Sequence, residues 1–132
     1  MSERIPLFVV GAHLSGMPLN RELTGPGGFL LRAAQTAPGY RLYALAGTVP
    51  PKPGMVYEPG FQGPGLAVEV WALPAAAFGA FVAAIPAPLG VGKITLDDGS
   101  QVTGFLCEAH ALAGAEEITR FGGWSAYRAA QS

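Results

Sequence analysis

A histidine set among small residues is the first candidate for chemistry in this sequence. His13 stands in the stretch VVGAHLSG, where the apolar run that begins at Ile5 gives way to glycine, alanine and serine. Imidazole has an ordinary pKa near neutrality, so it gives and takes protons at cellular pH. Small neighbours let a ligand approach the backbone and bond to its N–H groups. The pattern indicates either a functional histidine beside an anion-binding loop or a turn histidine bonded to a carbonyl.

Two carboxylates interrupt apolar runs and form a second set of candidates. Glu69 lies in LAVEVWAL and Glu108 in GFLCEAHA, both of which are typical of buried strands. A carboxylate in such a place needs a partner or has a raised pKa, and Arg41, Lys52 and the tyrosine hydroxyls are the candidate partners. Each glutamate therefore lines a pocket or belongs to a structural ion pair.

Three further residues have alternative roles. Lys52 lies between prolines in PPKPG, so it is either a pre-ordered anion contact or a solvated loop lysine. Cys107 lies in an apolar run and is predicted to be a small core residue rather than a nucleophile. His110 follows a predicted strand end, lacks the setting of His13, and is predicted to lie on the surface.

The composition excludes several classes of protein. Net charge is −1 and the eight Lys and Arg residues are scattered, which argues against a nucleic-acid partner. A single cysteine rules out an internal disulfide, and no ligand spacing predicts a metal or another cofactor. The first apolar run is too short for a signal peptide or a membrane span, so we expect a cytoplasmic protein with no membrane partner. Motifs of serine hydrolases, nucleotide-binding enzymes and glycosidases are absent.

Short apolar runs between turn residues predict one strand-rich α+β domain over residues 1–132, a curved or closed sheet with one or two covering helices. Strands are predicted at Ile5–Gly11, Phe29–Thr36, Tyr40–Gly47, Leu66–Leu73, Val91–Leu96 and Gln101–Ala109. A helix is predicted in PAAAFGAFVAAIP, which begins at Pro74 and has Phe78, Phe81, Val82 and Ile85 at helical spacing. Further helical segments are predicted at Leu19–Leu23, at Ala115–Arg120, and in a last turn around Trp124 and Tyr127. The segment rich in proline and glycine, Thr48–Gly65, is predicted to be an ordered surface excursion.

Several distinctive stretches identify a family resemblance. FVVGAHLSGMPLN, APGYRLYALAGTVPPKPGMV, VEVWALP, IPAPLGVGKITLDDGSQVTGFLCEAHAL and GAEEITRFGGWSAY together resemble the C-terminal domain of allophanate hydrolase, from about Leu7 to Tyr127. The resemblance implies a γ-glutamylcyclotransferase-like fold, a small mixed β-barrel with helices packed outside. It also implies a place in urea and allophanate degradation, beside an amidase that removes ammonia from allophanate.

The resemblance further implies a role for His13. The histidine of the GAHLSG motif is the proposed catalytic residue of the family, acting in decarboxylation of N-carboxycarbamate, a small carboxylate. Loss of carbon dioxide leaves a nitrogen that needs a proton, which a histidine can supply. For the remaining site we predict substrate-binding residues at Gly11, Ala12, Leu14, Ser15, Tyr40, Lys52 and Glu108. Lys52 and Tyr40 would orient the substrate, and Glu108 would set the protonation state of His13.

Two departures from the related families limit what the resemblance implies, and the first argues against γ-glutamylcyclotransferase activity. The sequence has neither the YGSL-type loop of γ-glutamylcyclotransferases nor an acid in IPAPLGVG, where their catalytic glutamate follows a helix. It also lacks any resemblance to the amidase half, so the chain is not predicted to be an amidase by itself. Enzyme activity is therefore an open question. The alternatives are a non-catalytic docking, dimerisation or metabolite-sensing module, with a homodimer or a separate amidase as partner, and a cyclotransferase-like enzyme acting on another small substrate.

Overall fold

The computed structural model describes residues 3–131, and strands make up most of its regular structure. The strands are β1 (Arg4–Val9), β2 (Phe29–Gln35), β3 (Tyr40–Ala44), β4 (Pro53–Tyr57), β5 (Ala67–Pro74), β6 (Leu89–Thr95), β7 (Gln101–Cys107) and β8 (Glu116–Glu117). The helices are α1 (Arg21–Thr24), α2 (Ala75–Ala83) and α3 (Trp124–Gln131), with 3₁₀ turns at Ala109–Leu112 and Thr119–Phe121. The predicted α+β class is confirmed.

Strand β1 lies at the centre of a five-stranded mixed sheet with the order β2-β5-β1-β7-β6. It pairs antiparallel with β5 and parallel with β7. Leu7, Phe8 and Val9 are fully buried, which is the pattern of a strand covered on both faces. The end of β1 therefore delivers the following loop, with His13, to the middle of the sheet.

The outer strands of this sheet, β2 and β6, approach each other without closing a barrel. Beyond their ends a single isolated bridge joins Thr36 to Leu96, supported by hydrogen bonds from the Ala37 N–H to the Thr95 carbonyl and from the Asp97 N–H to the Gln35 carbonyl. Within residues 3–131 the named strands form an open five-stranded sheet and a separate three-stranded sheet of order β4-β3-β8. The prediction of a mixed sheet is confirmed, and the prediction of a closed barrel is not.

The predicted helix at Ala115–Arg120 is wrong. Glu116 and Glu117 form strand β8 against β3, and the next N–H, of Ile118, donates to the carbonyl of Leu42 at 2.7 Å. Ile118 is fully buried at this position. Strand pairing and burial of Ile118 supply interactions that a short exposed helix lacks, so tertiary contacts override local helix propensity. The later turn around Trp124 and Tyr127 is confirmed as α3, in which both side chains are buried.

The predicted surface excursion at Thr48–Gly65 contains an unpredicted strand. Strand β4 occupies Pro53–Tyr57 and pairs with β3 over its whole length. Its first three residues are buried, with Met55 in the core. Proline is tolerated here because it is the first residue of the strand. Since β4 begins directly after Lys52, it fixes the position of that lysine.

Helix α2 covers the sheet beside β1 and β5 and begins at Ala75, after Pro74. The aromatic residues Phe78 and Phe81 and the following Ile85 pack against the core, as their helical spacing predicts. Within residues 3–131 no helix is long and apolar enough to cross a membrane.

Candidate active site around His13

The loop that follows β1 is held in tight turns by its own backbone. The Leu14 N–H donates to the Gly11 carbonyl at 3.0 Å, and the Leu19 N–H donates to the Ala12 carbonyl at 2.9 Å. The Asn20 side-chain amide then donates to the carbonyl of His13 at 2.8 Å. These bonds fix the backbone that carries the imidazole before any side-chain contact is considered.

The His13 imidazole is buried between two aromatic rings and one carboxylate. Its Nε2 lies 2.8 Å from Oε1 of Glu22, which stands on α1. The Phe81 ring meets it edge-on at 5.0 Å between centroids, and the Phe105 ring lies at 5.4 Å. The side chain of His13 is 11% exposed and that of Glu22 is 49% exposed. Glu22 therefore connects a buried imidazole to solvent.

Opposing effects set the protonation of His13. Burial, the largest effect, lowers the pKa below its ordinary 6.5, and the positive charge of Lys52 lowers it further. The hydrogen bond to Glu22 and its negative charge raise the pKa but do not cancel the burial. An ionised carboxylate only accepts hydrogen bonds, so the proton between the two groups belongs to Nε2. In the neutral ring, Nδ1 is the nitrogen left to take up a proton.

A cavity of about 170 Å³ opens beside this imidazole. Its polar lining residues are His13, Glu22 and Lys52. The rest of its wall is apolar and consists of Leu19, Phe81, Ala84, Ile85, Pro86, Leu89 and Phe105. A few polar groups at a compact, mostly apolar pocket is the usual arrangement of a small-molecule site.

A smaller adjoining cavity brings the loop backbone to the same place. It is lined by Gly11, Ala12 and His13 together with Lys52 and Pro53. A Cβ at position 11 would lie 2.2 Å from Cδ of Pro53, so only glycine allows β4 to approach this closely. Gly11 thus holds Lys52 against the His13 loop.

Lys52 presents a positive charge at these cavities. Its backbone is fixed by hydrogen bonds, from its N–H to the Thr48 hydroxyl at 2.9 Å and from the Leu45 N–H to its carbonyl at 3.1 Å. Among residues 3–131 no carboxylate lies within ion-pair distance of the Lys52 ammonium. A cation without a protein counter-ion at a cavity is suited to an anionic ligand.

The structure brings Gly11, Ala12, Lys52 and His13 together, and it places the other predicted site residues elsewhere. Leu14 is buried in the core, and Ser15 donates twice to Oε1 of Glu69, from its N–H and from its hydroxyl. The buried Tyr40 has a hydroxyl that accepts from the Thr95 N–H at 2.9 Å.

Glu108 does not contact His13. Its carboxylate lies 3.0 Å from Nε2 of His110, and both side chains are exposed. The predicted link between Glu108 and His13 is therefore wrong, because β7 ends at Cys107 and the chain then turns outward. Glu22, and not Glu108, is the carboxylate in contact with His13.

Glu69 and Cys107 also lie outside the His13 cavity. Oε1 of Glu69 accepts from the Trp71 indole N–H at 3.0 Å in addition to the two bonds from Ser15, so its partners are neutral donors rather than Arg41 or Lys52. Cys107 is half-buried at the end of β7, and burial raises the pKa of its thiol. In the described part of the chain, no group of three or more His, Cys, Asp and Glu residues is arranged to hold a metal ion.

Sequence reasoning missed Glu22 and the apolar wall. Glu22 is the one acidic residue between His13 and Thr24, and it falls in the segment predicted to be a helical turn. That signal was available. The approach of Phe81 and Phe105 to His13 depends on how α2 and β7 pack, which no local pattern states.

Comparisons with known proteins agree with this fold. The family model described as "Allophanate hydrolase C-terminal domain" matches residues 5–129. The chain belongs to this family. A urea amidolyase of Saccharomyces cerevisiae is 37% identical over 134 aligned positions, covering 96% of this chain and 7% of that protein.

Solved structures extend the comparison. The Kluyveromyces lactis allophanate hydrolase superposes with a TM-score of 0.93 and 36% identity, covering 98% of this chain and 22% of that one. A uropathogenic E. coli-specific protein superposes with a TM-score of 0.86 and 36% identity, covering 96% of this chain and 97% of that one. This chain therefore spans a small part of the urea amidolyase and of the allophanate hydrolase, and nearly all of the E. coli protein. A γ-glutamyl cyclotransferase with 15% identity and a TM-score of 0.56 shares the fold alone.

Proposed function

We propose that the His13 cavity binds N-carboxycarbamate and promotes its decarboxylation, beside an amidase that produces it. The observation that carries the proposal is one compact cavity lined by a buried titratable imidazole and an ammonium group without a counter-ion among residues 3–131. The family membership supports the choice of substrate, because the related proteins are named for urea and allophanate breakdown.

One carboxylate of the substrate is held by Lys52 and the loop backbone. Ala12 and His13 are buried, and neither of their N–H groups donates to another residue within 3–131. Buried N–H groups ordinarily have acceptors, so an anionic ligand would satisfy them. Charge-assisted bonds from Lys52 and from the backbone are the contacts that orient a carboxylate.

The second carboxylate faces the apolar wall. A carboxylate is poorly stabilised where aromatic and aliphatic side chains replace water, whereas neutral carbon dioxide loses little solvation free energy there. The wall around Phe81, Ile85 and Leu89 therefore favours conversion of the charged group into the neutral product.

His13 supplies the proton that completes the reaction. The C–N bond to the leaving carboxylate breaks, its electron pair stays on nitrogen, and one proton from the imidazolium joins that nitrogen. N-carboxycarbamate and one proton thus give carbamate and carbon dioxide. Burial lowers the pKa of His13, and the negative charge of the bound substrate raises it, so substrate and proton bind together.

The first test is ligand binding by thermal shift and calorimetry with malonate, which is nearly isosteric with N-carboxycarbamate. We expect malonate to raise the melting temperature of the wild-type protein, by mass action, and to have a much smaller effect on His13→Ala. A shift of equal size in both proteins would place binding elsewhere and contradict the proposal.

The second test is turnover. ¹³C-labelled allophanate is converted by a separate amidase in the presence of this protein, and loss of the N-carboxycarbamate signal is followed by NMR. We expect wild-type protein to accelerate that loss over the spontaneous rate. Malonate binding without acceleration would contradict a catalytic role and favour a non-catalytic module that senses a carboxylate.

A further inference from the structure

Glu22 is the carboxylate in contact with the buried imidazole of His13. The Glu22 side chain is half-exposed and that of His13 is buried, and Oε1 of Glu22 lies 2.8 Å from Nε2 of His13. Its helix, α1, begins directly after Asn20, whose side-chain amide donates a hydrogen bond to the His13 carbonyl. The carboxylate, the loop backbone and the imidazole are therefore positioned by one short segment.

The surroundings of His13 contain few charges that compete with Glu22. From α2 and β7 it meets the uncharged rings of Phe81 and Phe105. The segment before β4 contributes Lys52. Of the groups lining the cavity within residues 3–131, Glu22 and Lys52 are the charged ones, and their charges oppose each other.

We propose that Glu22 is the positioning residue of this site, accepting the hydrogen bond from Nε2–H and so leaving Nδ1 to take up the second proton when a dicarboxylate enters. The identity of the ligand in this inference rests on the proposed function, whereas the contact between Glu22 and His13 does not. The Glu22 charge acts in two ways. It stabilises the imidazolium, and it repels an incoming dianion. Which effect dominates depends on pH.

The variant Glu22→Gln separates these effects. A glutamine oxygen still accepts the hydrogen bond from Nε2–H, so the ring keeps its orientation while the charge is lost. Because Glu22 raises the pKa of His13, the variant has a lower His13 pKa than the wild-type protein. At low pH, where both imidazoles are protonated, malonate binds the variant at least as tightly. As pH rises, affinity falls earlier in the variant, so the two binding curves cross.

The surface pair of Glu108 and His110 supplies a matched control. Glu108→Gln removes the same charge from a histidine contact of 3.0 Å in which both side chains are about two-thirds exposed. His13 is followed by histidine ring NMR, with its signals assigned by their absence from His13→Ala, and malonate affinity is measured from pH 5 to pH 8. We expect Glu22→Gln to lower the His13 pKa and Glu108→Gln to leave it unchanged. Glu22→Asp, which keeps the charge on a shorter side chain, should recover part of the shift.

The outcomes distinguish this inference from the proposed function. An unchanged His13 pKa in Glu22→Gln, or parallel binding curves that never cross, would overturn the role of Glu22. If wild-type protein binds no malonate while Glu22→Gln lowers the His13 pKa, the proposed substrate is wrong and the positioning role holds. A uniform loss of affinity at every pH would identify Glu22 as a structural contact only.

Discussion

Two histidine–glutamate pairs in this molecule have nearly the same geometry and different surroundings. His13 and Glu22 lie 2.8 Å apart, and His110 and Glu108 lie 3.0 Å apart. The His13 side chain is 11% exposed beside a cavity, whereas that of His110 is 69% exposed. Residue type and distance are therefore insufficient to make a site. Removal of water from one imidazole, and a cation nearby, distinguish the first pair.

The same contrast extends to other residues of the two regions. Lys52 lies at the cavity, whereas Lys93 lies exposed on β6. Gly11 is pressed against Pro53, whereas a Cβ added to Gly90 would meet nothing within 4 Å. His13, Glu22, Lys52 and Gly11 thus each have a counterpart of the same type in an open position. The following predictions use these counterparts as controls.

The largest effect is expected from the histidines. His13→Asn should reduce the acceleration of N-carboxycarbamate breakdown by at least about 100-fold, because a general acid contributes roughly 10²–10⁴. His110→Asn should leave the acceleration unchanged. The coupled NMR assay measures both. Equal losses in the two variants would remove the distinction between the pairs.

The lysines should come next. Lys52→Met should weaken malonate binding by about 10- to 100-fold, since a hydrogen bond to a charged group contributes about 1.5–3 kcal/mol. Lys93→Met removes an equal charge from an exposed side chain that does not line the cavity, and it should alter the dissociation constant little. Calorimetry at fixed ionic strength compares them. Similar weakening by both substitutions would point to net charge rather than a specific contact.

The glycines test the close approach of β4. Gly11→Ala should destabilise the fold by about 1–3 kcal/mol, as overpacking does, because the new Cβ would displace Pro53 and with it Lys52. Gly90→Ala should change stability by less than about 0.5 kcal/mol. Urea unfolding gives the free energies. A Gly11→Ala protein as stable as wild type, with undiminished malonate affinity, would show that this contact is not needed.

The smallest effect is expected in the pH dependence of stability. Because the folded-state pKa of His13 lies below its ordinary 6.5, the unfolded chain takes up this proton first as pH falls. Stability of the wild-type protein should therefore fall, relative to His13→Gln, as pH drops below about 6.5, and the difference should level off below the folded-state pKa. Unfolding curves between pH 4.5 and pH 8 measure it.

The elements that sequence predicted well carry their signal locally. The apolar run of β1, the helical spacing of Phe78 and Phe81 in α2, and the short apolar runs of β6 and β7 each indicate their structure within a few residues. The helix predicted at Ala115–Arg120 failed because Ile118 is buried by pairing with a strand more than 70 residues earlier. Strand β4 was missed because its pairing with β3 outweighs a composition rich in proline and glycine.

The sequence by itself determined the candidate histidine, the small residues around it and the family resemblance, since each is a matter of residue type and order along the chain. Only the tertiary structure decided which carboxylate meets His13. Glu22 and Glu108 both lie near a histidine in sequence, but α1 folds back onto the loop while the chain after β7 turns outward. Burial of the imidazole against Phe81 and Phe105 was likewise decided by packing of α2 and β7. Desolvation depends on what surrounds a group in space, and the order of residues along the chain does not state it.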